Sequence, residues 1–580
     1  MTKDELKNLI DTAAGRKKAD LVIKNCKIVN VFSGEIEDGE IAITAGKIIG
    51  TGAVEYDGKE VFDAAGAFAA PGFIDAHIHI ESSYISPEQL GSMLVPHGGT
   101  TIIADPHEIA NVCGLEGIRY MIKAAKNTKL NIIYTMPSCV PATPFEDAGA
   151  IIEAEDMEKI FADENIVGLG EFMNVPGVIN ADDKVLNKLM LAKKFSKLTD
   201  GHAPNLTGKD LNAYICAGIL GDHECTTIEE MKERISKGMY VLMREGSACH
   251  DLHALINGVT ERNSSRILLC SDDRQPRTIL SEGHLDNHLR ICVKEGIDPI
   301  IAIRMASLNA AEAFRLHDRG AIAPGLRADI VLLDDLKDFN VRKVLIDGEL
   351  VAENGKYLPK VEACDISTVR GSVKVKDFSA DRLKMQLKSN KVNVIKILPD
   401  GVVTKKIIAK VKSDAEGDFI FDAAQNICKV AVIERHHGTG TIGLGLLSDY
   451  GIKAGAIAVS VAHDSHNIIV AGVNNSEMAA AVEKLIEMDG GMVLVKDGKV
   501  ISSIALPIAG LMSLDSGEEL EKKLSALHSK AHRELGISEE VEPVMTLTFM
   551  SLPVIPEIKL TDRGLFDYAS FKIVPVEVED

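Results

Sequence analysis

Between residues 73 and 271, short apolar runs alternate with longer amphipathic stretches. The apolar runs fall at 73–80, 100–105, 131–136, 166–170, 197–201, 218–222, 240–244 and 266–271, each of strand length. Most gaps hold a segment of helix length, such as 87–96, 111–126, 182–195 and 227–236. Repeated strand–helix units with wholly apolar strands predict a buried parallel sheet. Eight such units predict a (β/α)8 TIM-like barrel, with its chemistry at the C-terminal ends of the strands. A doubly wound open sheet accounts for the alternation alone.

The flanks follow another pattern. Residues 19–70 read as short strands between glycine turns, as in Asp20-Leu21-Val22-Ile23-Lys24-Asn25 and Lys47-Ile48-Ile49-Gly50. Residues 321–355 read alike, with Ala328-Asp329-Ile330-Val331-Leu332-Leu333 and Val344-Leu345-Ile346-Asp347-Gly348. Neither stretch buries a sheet face well alone, so both are expected in one small composite β domain. The expected division is 1–70 and 321–360 for that domain, 71–320 for the barrel and 361–580 for a separate C-terminal α/β domain. The last holds a strand at 392–397 and helices near 476–487 and 517–534, and 541–556 reads as an ordered loop.

Composition narrows the function classes. A chain of 580 residues exceeds one ordinary core, and 46% hydrophobic with 26% charged residues is ordinary for a globular protein. The net charge of −21 speaks against a nucleic-acid footprint and against an anionic membrane surface. The first residues lack the apolar core of a signal peptide, and no uncharged run approaches the span of a bilayer. The expectation is a cytoplasmic protein whose ten cysteines, none in a CxxC pair, stay reduced.

The chemistry sits where the runs end. His77 and His79 close the first run, two residues apart, as a bidentate clamp. Glu171, His202, His223 and Asp272 stand at the ends of the fourth, fifth, sixth and eighth. Four imidazoles and two carboxylates suit two adjacent divalent ions better than one. Glu171 is placed to bridge them, and Asp272 to bind metal and take a proton from water. Oxygen and nitrogen donors suit Mn(II) or Fe(II), with Zn(II) also compatible. Any one of these histidines alone would more often be structural.

These residues in this order resemble the amidohydrolase superfamily. The lead-in Ala70-Pro71-Gly72-Phe73-Ile74-Asp75-Ala76-His77-Ile78-His79 and the exit Gly320 to Asp329 add to the likeness, which covers about 19–355. Glu171 stands where many relatives are said to carry a carboxylated lysine, which favours a deaminase over a hydrolase of cyclic amides or N-acyl groups.

Narrower runs resemble the bacterial and archaeal adenine deaminases: Asp105-Pro106-His107-Glu108, Met243-Arg244-Glu245-Gly246-Ser247 and Ser271-Asp272-Asp273-Arg274, then Glu434-Arg435-His436-His437 and His463-Asp464-Ser465-His466. The resemblance implies hydrolysis of adenine to hypoxanthine and ammonia in purine salvage, with a homodimer as a compatible assembly. His107, Glu108, Arg244 and Ser247 are the candidates for holding the base, with loop packing or support of the ligands as the alternative. Glu245 is the candidate proton donor to the ring, beside Asp272 as base. A non-catalytic metal- or purine-binding protein is the alternative of another class, and the intact ligand set speaks against it. His463 and His466 read as another metal site, as a reach over the barrel mouth, or as a polar loop capping a strand, the simplest of the three. Gly438-Thr439-Gly440-Thr441-Ile442-Gly443 matches GxGxxG, but the glycines in the segment after it make a dinucleotide fold a weak reading.

Overall fold

The computed structural model describes residues 2–163, 165–399 and 402–578. Eight parallel strands form the barrel: Phe73–His79, Gly99–Ala104, Asn131–Met136, Ile166–Phe172, Leu198–Gly201, Gly221–Asp222, Tyr240–Arg244, and Ile267–Cys270 continued by Asp272–Asp273. Strands one to five pair in sequence, strands six to eight likewise, and Asp272 returns to Ile78 of strand one. Between strands five and six the Leu220 N–H donates to the Thr199 carbonyl at 3.2 Å. Helices His107–Ala124, Asp183–Lys194 and Ile228–Ser236 occupy expected gaps. The barrel expected from the alternation is thus the observed architecture.

Strand eight breaks at Ser271, and Asp272 takes a left-handed backbone with φ 58°, a sparsely populated conformation of the kind that gathers at functional sites. The buried Asp75 of strand one holds the break in place. It accepts the Ser271 N–H at 3.1 Å and the Ser271 hydroxyl at 2.5 Å.

Both flanks enter one nine-stranded sheet, from Ala19–Asn30 to Phe68–Pro71 on one side and from Ile330–Leu333 to Lys356–Tyr357 on the other. Phe68–Pro71 pairs with Ile330–Leu333 immediately before barrel strand one. The chain therefore enters the barrel from a fixed edge.

Residues 391–505 build an eight-stranded, mostly antiparallel sheet. Alternate residues divide its faces: Ala431 and Ile433 pack with helix Asn475–Glu487, while Val430 and Val432 join the apolar core that continues into the barrel. One reading is corrected. Residues Pro543–Thr548 form a helix rather than a loop, because Pro543 sits at its first position and the Glu542 side chain caps the Met545 N–H. The GxGxxG run leads into strand Ile442–Ser448, which pairs antiparallel with Ile427–Ile433. Among the described residues no helix follows the glycines to receive a pyrophosphate.

Candidate active site

The six expected ligands converge at the C-terminal end of the barrel. The Nε2 atoms of His77 and His79 lie 3.1 Å apart. Glu171 Oε1 is 3.3 Å from His79 Nε2 and 4.0 Å from His77 Nε2. Asp272 Oδ1 lies 3.2 Å from His79 Nε2 and 3.6 Å from His77 Nε2. The other oxygen of Glu171, Oε2, faces His202 Nδ1 at 2.9 Å and His223 Nε2 at 3.3 Å. Glu171 therefore stands between two pairs of imidazoles, one oxygen toward each.

Outer contacts fix these rings. His79 Nδ1 donates to the Asp105 carbonyl at 3.1 Å, which turns Nε2 inward. His77 Nδ1 faces Asp200 Oδ2 at 3.4 Å. Buried Asp222 accepts the Ala203 and Glu224 N–H groups at 3.1 Å and Arg234 Nε at 2.7 Å. That bond set ties the loops bearing His202 and His223 together.

The donor set fits metal. Neutral imidazoles would press lone pairs against each other and against carboxylate oxygens, while protonated ones would press charge against charge; a divalent cation relieves both. Without it, protons serve. For His223, burial opposes the charged ring, but Glu171, Glu224 and Asp272 outweigh it and raise the group to about 10. For Glu171, burial works upward, but His107, His202 and His223 hold the carboxylate well below its usual range. Asp272 is likewise held low against burial by His79 and by Arg244, whose Nη1 is 3.3 Å from Oδ2.

The remaining candidates divide. His107 enters the cluster, with Nδ1 3.3 Å from Glu171 Oε1. Glu108 turns to the C-terminal domain, 3.1 Å from His463 Nδ1. Arg244 is spent on protein carboxylates, donating to Asp251 at 2.9 Å and to Glu224 as well as facing Asp272. Glu245 is not brought in. As the next residue after Arg244 it leaves on the opposite side, where His250 Nδ1 donates to it at 2.6 Å. Ser247 braces a loop, 2.6 Å from the Thr278 hydroxyl.

Two findings go beyond the sequence reading. Glu224 stands 3.5 Å from His223 Nε2; its signal was adjacency to a ligand histidine at a strand end. The 463–466 segment is no capping loop but lies over the barrel mouth, with Asp464 Oδ1 3.8 Å from His107 Nε2. Nor does His466 suit a metal. Its Nδ1 accepts the Ala462 N–H at 3.2 Å, so in the neutral ring Nε2 carries the proton, facing Glu108 Oε2 at 3.7 Å. Among the described residues no helix is long and apolar enough to cross a membrane.

Comparison with known proteins agrees with this geometry. Residues 68–351 match the amidohydrolase family and residues 401–572 the adenine deaminase C-terminal domain. The chain is 59% identical to adenine deaminase 2 of Desulfotalea psychrophila over all of both chains. It is 51% identical to adenine deaminase of Ligilactobacillus salivarius, again over all of both. Against adenine deaminase of Clostridium acetobutylicum it is 47% identical over 97% of this chain and 99% of that one. With this full-length identity and both family matches, the chain belongs to the adenine deaminase family of the amidohydrolases.

Proposed function

We infer that this chain hydrolyses adenine to hypoxanthine and ammonia, on two divalent cations held by His77, His79, Glu171, His202, His223 and Asp272. The observation that carries the reading is the placement of Glu171, with one carboxylate oxygen toward His77 and His79 and the other toward His202 and His223. Full-length relatives named adenine deaminase supply the substrate. Bound cations of this kind lower the pKa of water toward neutrality. Mn(II) or Fe(II) is the metal we expect, Zn(II) the alternative.

The residues then divide the work. Asp272, ionised and held by Arg244, accepts a proton from the attacking water and passes it to the departing amino group. The water oxygen bonds to purine C6, the C6–N bond breaks, and nitrogen leaves as ammonia. Glu224, also kept ionised against burial by Arg244 and the two histidines, is an acceptor for a purine N–H. It takes over the role expected for Glu245, which faces His250 instead. A largely enclosed acceptor of this kind disfavours analogues that leave it unpaired. Hypoxanthine as product fits a place in purine salvage, and a homodimer is the assembly to test by mass in solution.

The test is ammonia release from adenine by protein loaded with Mn(II) or Fe(II), with elemental analysis of the same sample. Turnover with two metal equivalents supports the reading. Bound metal without turnover turns it to the non-catalytic alternative, and turnover of cyclic amides alone turns it to the rival hydrolase.

A further inference from the structure

The Asp105-Pro106-His107-Glu108 run connects Glu171 to the C-terminal domain. Asp105 Oδ2 accepts the Glu171 N–H at 3.0 Å. That approach needs Gly170, where a Cβ would meet Asp105 Oδ2 at 2.1 Å. His107 lies against the Glu171 carboxylate itself. Glu108, wholly inside the protein, accepts the Ser82 hydroxyl at 3.2 Å and faces His463 Nδ1 at 3.1 Å. On its far side His107 faces Asp464. Two neighbours in the run thus meet two neighbours in the C-terminal loop.

That loop is rigidly built. Arg435 is fully buried, and its Nη2 donates to the carbonyls of Ser460 at 3.3 Å and Ala509 at 3.0 Å. Its Nε donates to the His466 carbonyl. His436 Nε2 donates to the Ser465 carbonyl at 2.7 Å, and His437 Nε2 to the Ala148 carbonyl of a barrel loop at 2.9 Å. Arg435 and His436 thereby hold the 462–467 turn, and His437 ties it to a barrel loop. The Arg435 guanidinium meets carbonyls and the Ser372 hydroxyl, with no carboxylate in hydrogen-bond contact among the described residues, and burying such a charge is costly unless the turn it holds matters.

We propose that His463 and Asp464 of the C-terminal domain are positioning residues for the reaction centre, Asp464 through His107 and His463 through Glu108, the residue next to His107, so that His107 fixes the Glu171 carboxylate between its two imidazole pairs. His107 and Glu108 then serve Glu171 and the loop rather than the base. The C-terminal domain becomes part of the catalytic unit, and neither half has the complete arrangement alone. The proposal rests on the assignment of Glu171 as the shared ligand.

The experiment compares full-length wild type with Asp464→Ala, His463→Leu and His463→Asn. Three quantities are read: manganese retained after dialysis against a chelator, kcat and KM for adenine, and melting temperature of the metal-free protein. Loss of an outer partner of a ligand costs about ten- to a hundred-fold in metal affinity or activity. Asp464→Ala and His463→Leu are therefore expected to lose manganese and kcat on that scale, with KM and metal-free melting near wild type. His463→Asn retains function, because its amide nitrogen stands where Nδ1 stood. Wild-type manganese retention and kcat in both Asp464→Ala and His463→Leu overturn the proposal. So does a loss confined to KM, which would put the loop on the substrate, and so does a loss matched by a fall in metal-free melting in both variants. Should wild type release no ammonia while manganese retention still follows the variants, the proposed reaction fails and the positioning role stands.

Discussion

The two edges of the barrel mouth are built differently. Above strands one and two the site is sealed: Glu108 and Asp464 keep 2% and 5% of their side-chain surface exposed. Beside strands five and six it is looser, with His202 at 17% and Glu224 at 16%. The sealed edge is braced by a second domain through His463 and Asp464. One edge can therefore hold charge in place while the other admits a flat, polar base.

Variants on the two edges can break that contrast. The largest effect is expected at the strand-eight carboxylate that both edges share. Asp272→Asn keeps the fold and loses turnover by about a hundred- to ten-thousand-fold, the scale of a lost proton acceptor; a wild-type kcat removes the residue from that role. Next come the ligands. His77→Ala, at the buried end, lowers metal content after dialysis, whereas His202→Ala loses less because water reaches the vacated position. Equal losses by elemental analysis would erase the distinction between the edges.

Glu224→Gln is expected to lower kcat/KM for adenine by about ten-fold, the scale of a hydrogen bond to a charged group, with metal content unchanged. Metal loss in that variant would make Glu224 a ligand rather than a reader of the base. The smallest effect is on stability. Burial, and then the charge of Asp464, raise Glu146 from 4.5 to about 8. Between those values the folded chain keeps a proton that the unfolded chain releases. Stability from this group is complete below pH 4.5 and falls as pH rises through about 8. Glu146→Gln should flatten the fall in melting temperature between about pH 4.5 and about pH 8; a slope unchanged from wild type would place the proton elsewhere.

Strand periodicity made the barrel legible, because parallel strands buried on both faces must be apolar along their length. The ligand histidines were legible for a related reason: polar residues ending apolar strands stand out. Glu224 and Asp200 were less visible, since single carboxylates beside a histidine are common. Glu245 misled because a carboxylate beside Arg244 looks like a site residue until alternation turns it away. Helix Pro543–Thr548 was hidden by its flanking proline, which serves equally well to start a helix or to fill a loop.

By itself the sequence determined the eight-unit alternation and the order of the candidate ligands along it, since each depends on residues close together in the chain. Only tertiary structure decided what Glu108 and His107 face, because their partners His463 and Asp464 lie more than 350 residues away. No local pattern encodes a contact of that separation. It follows from how two sheets pack on one core, and from a buried arginine that leaves the connecting turn a single place to go.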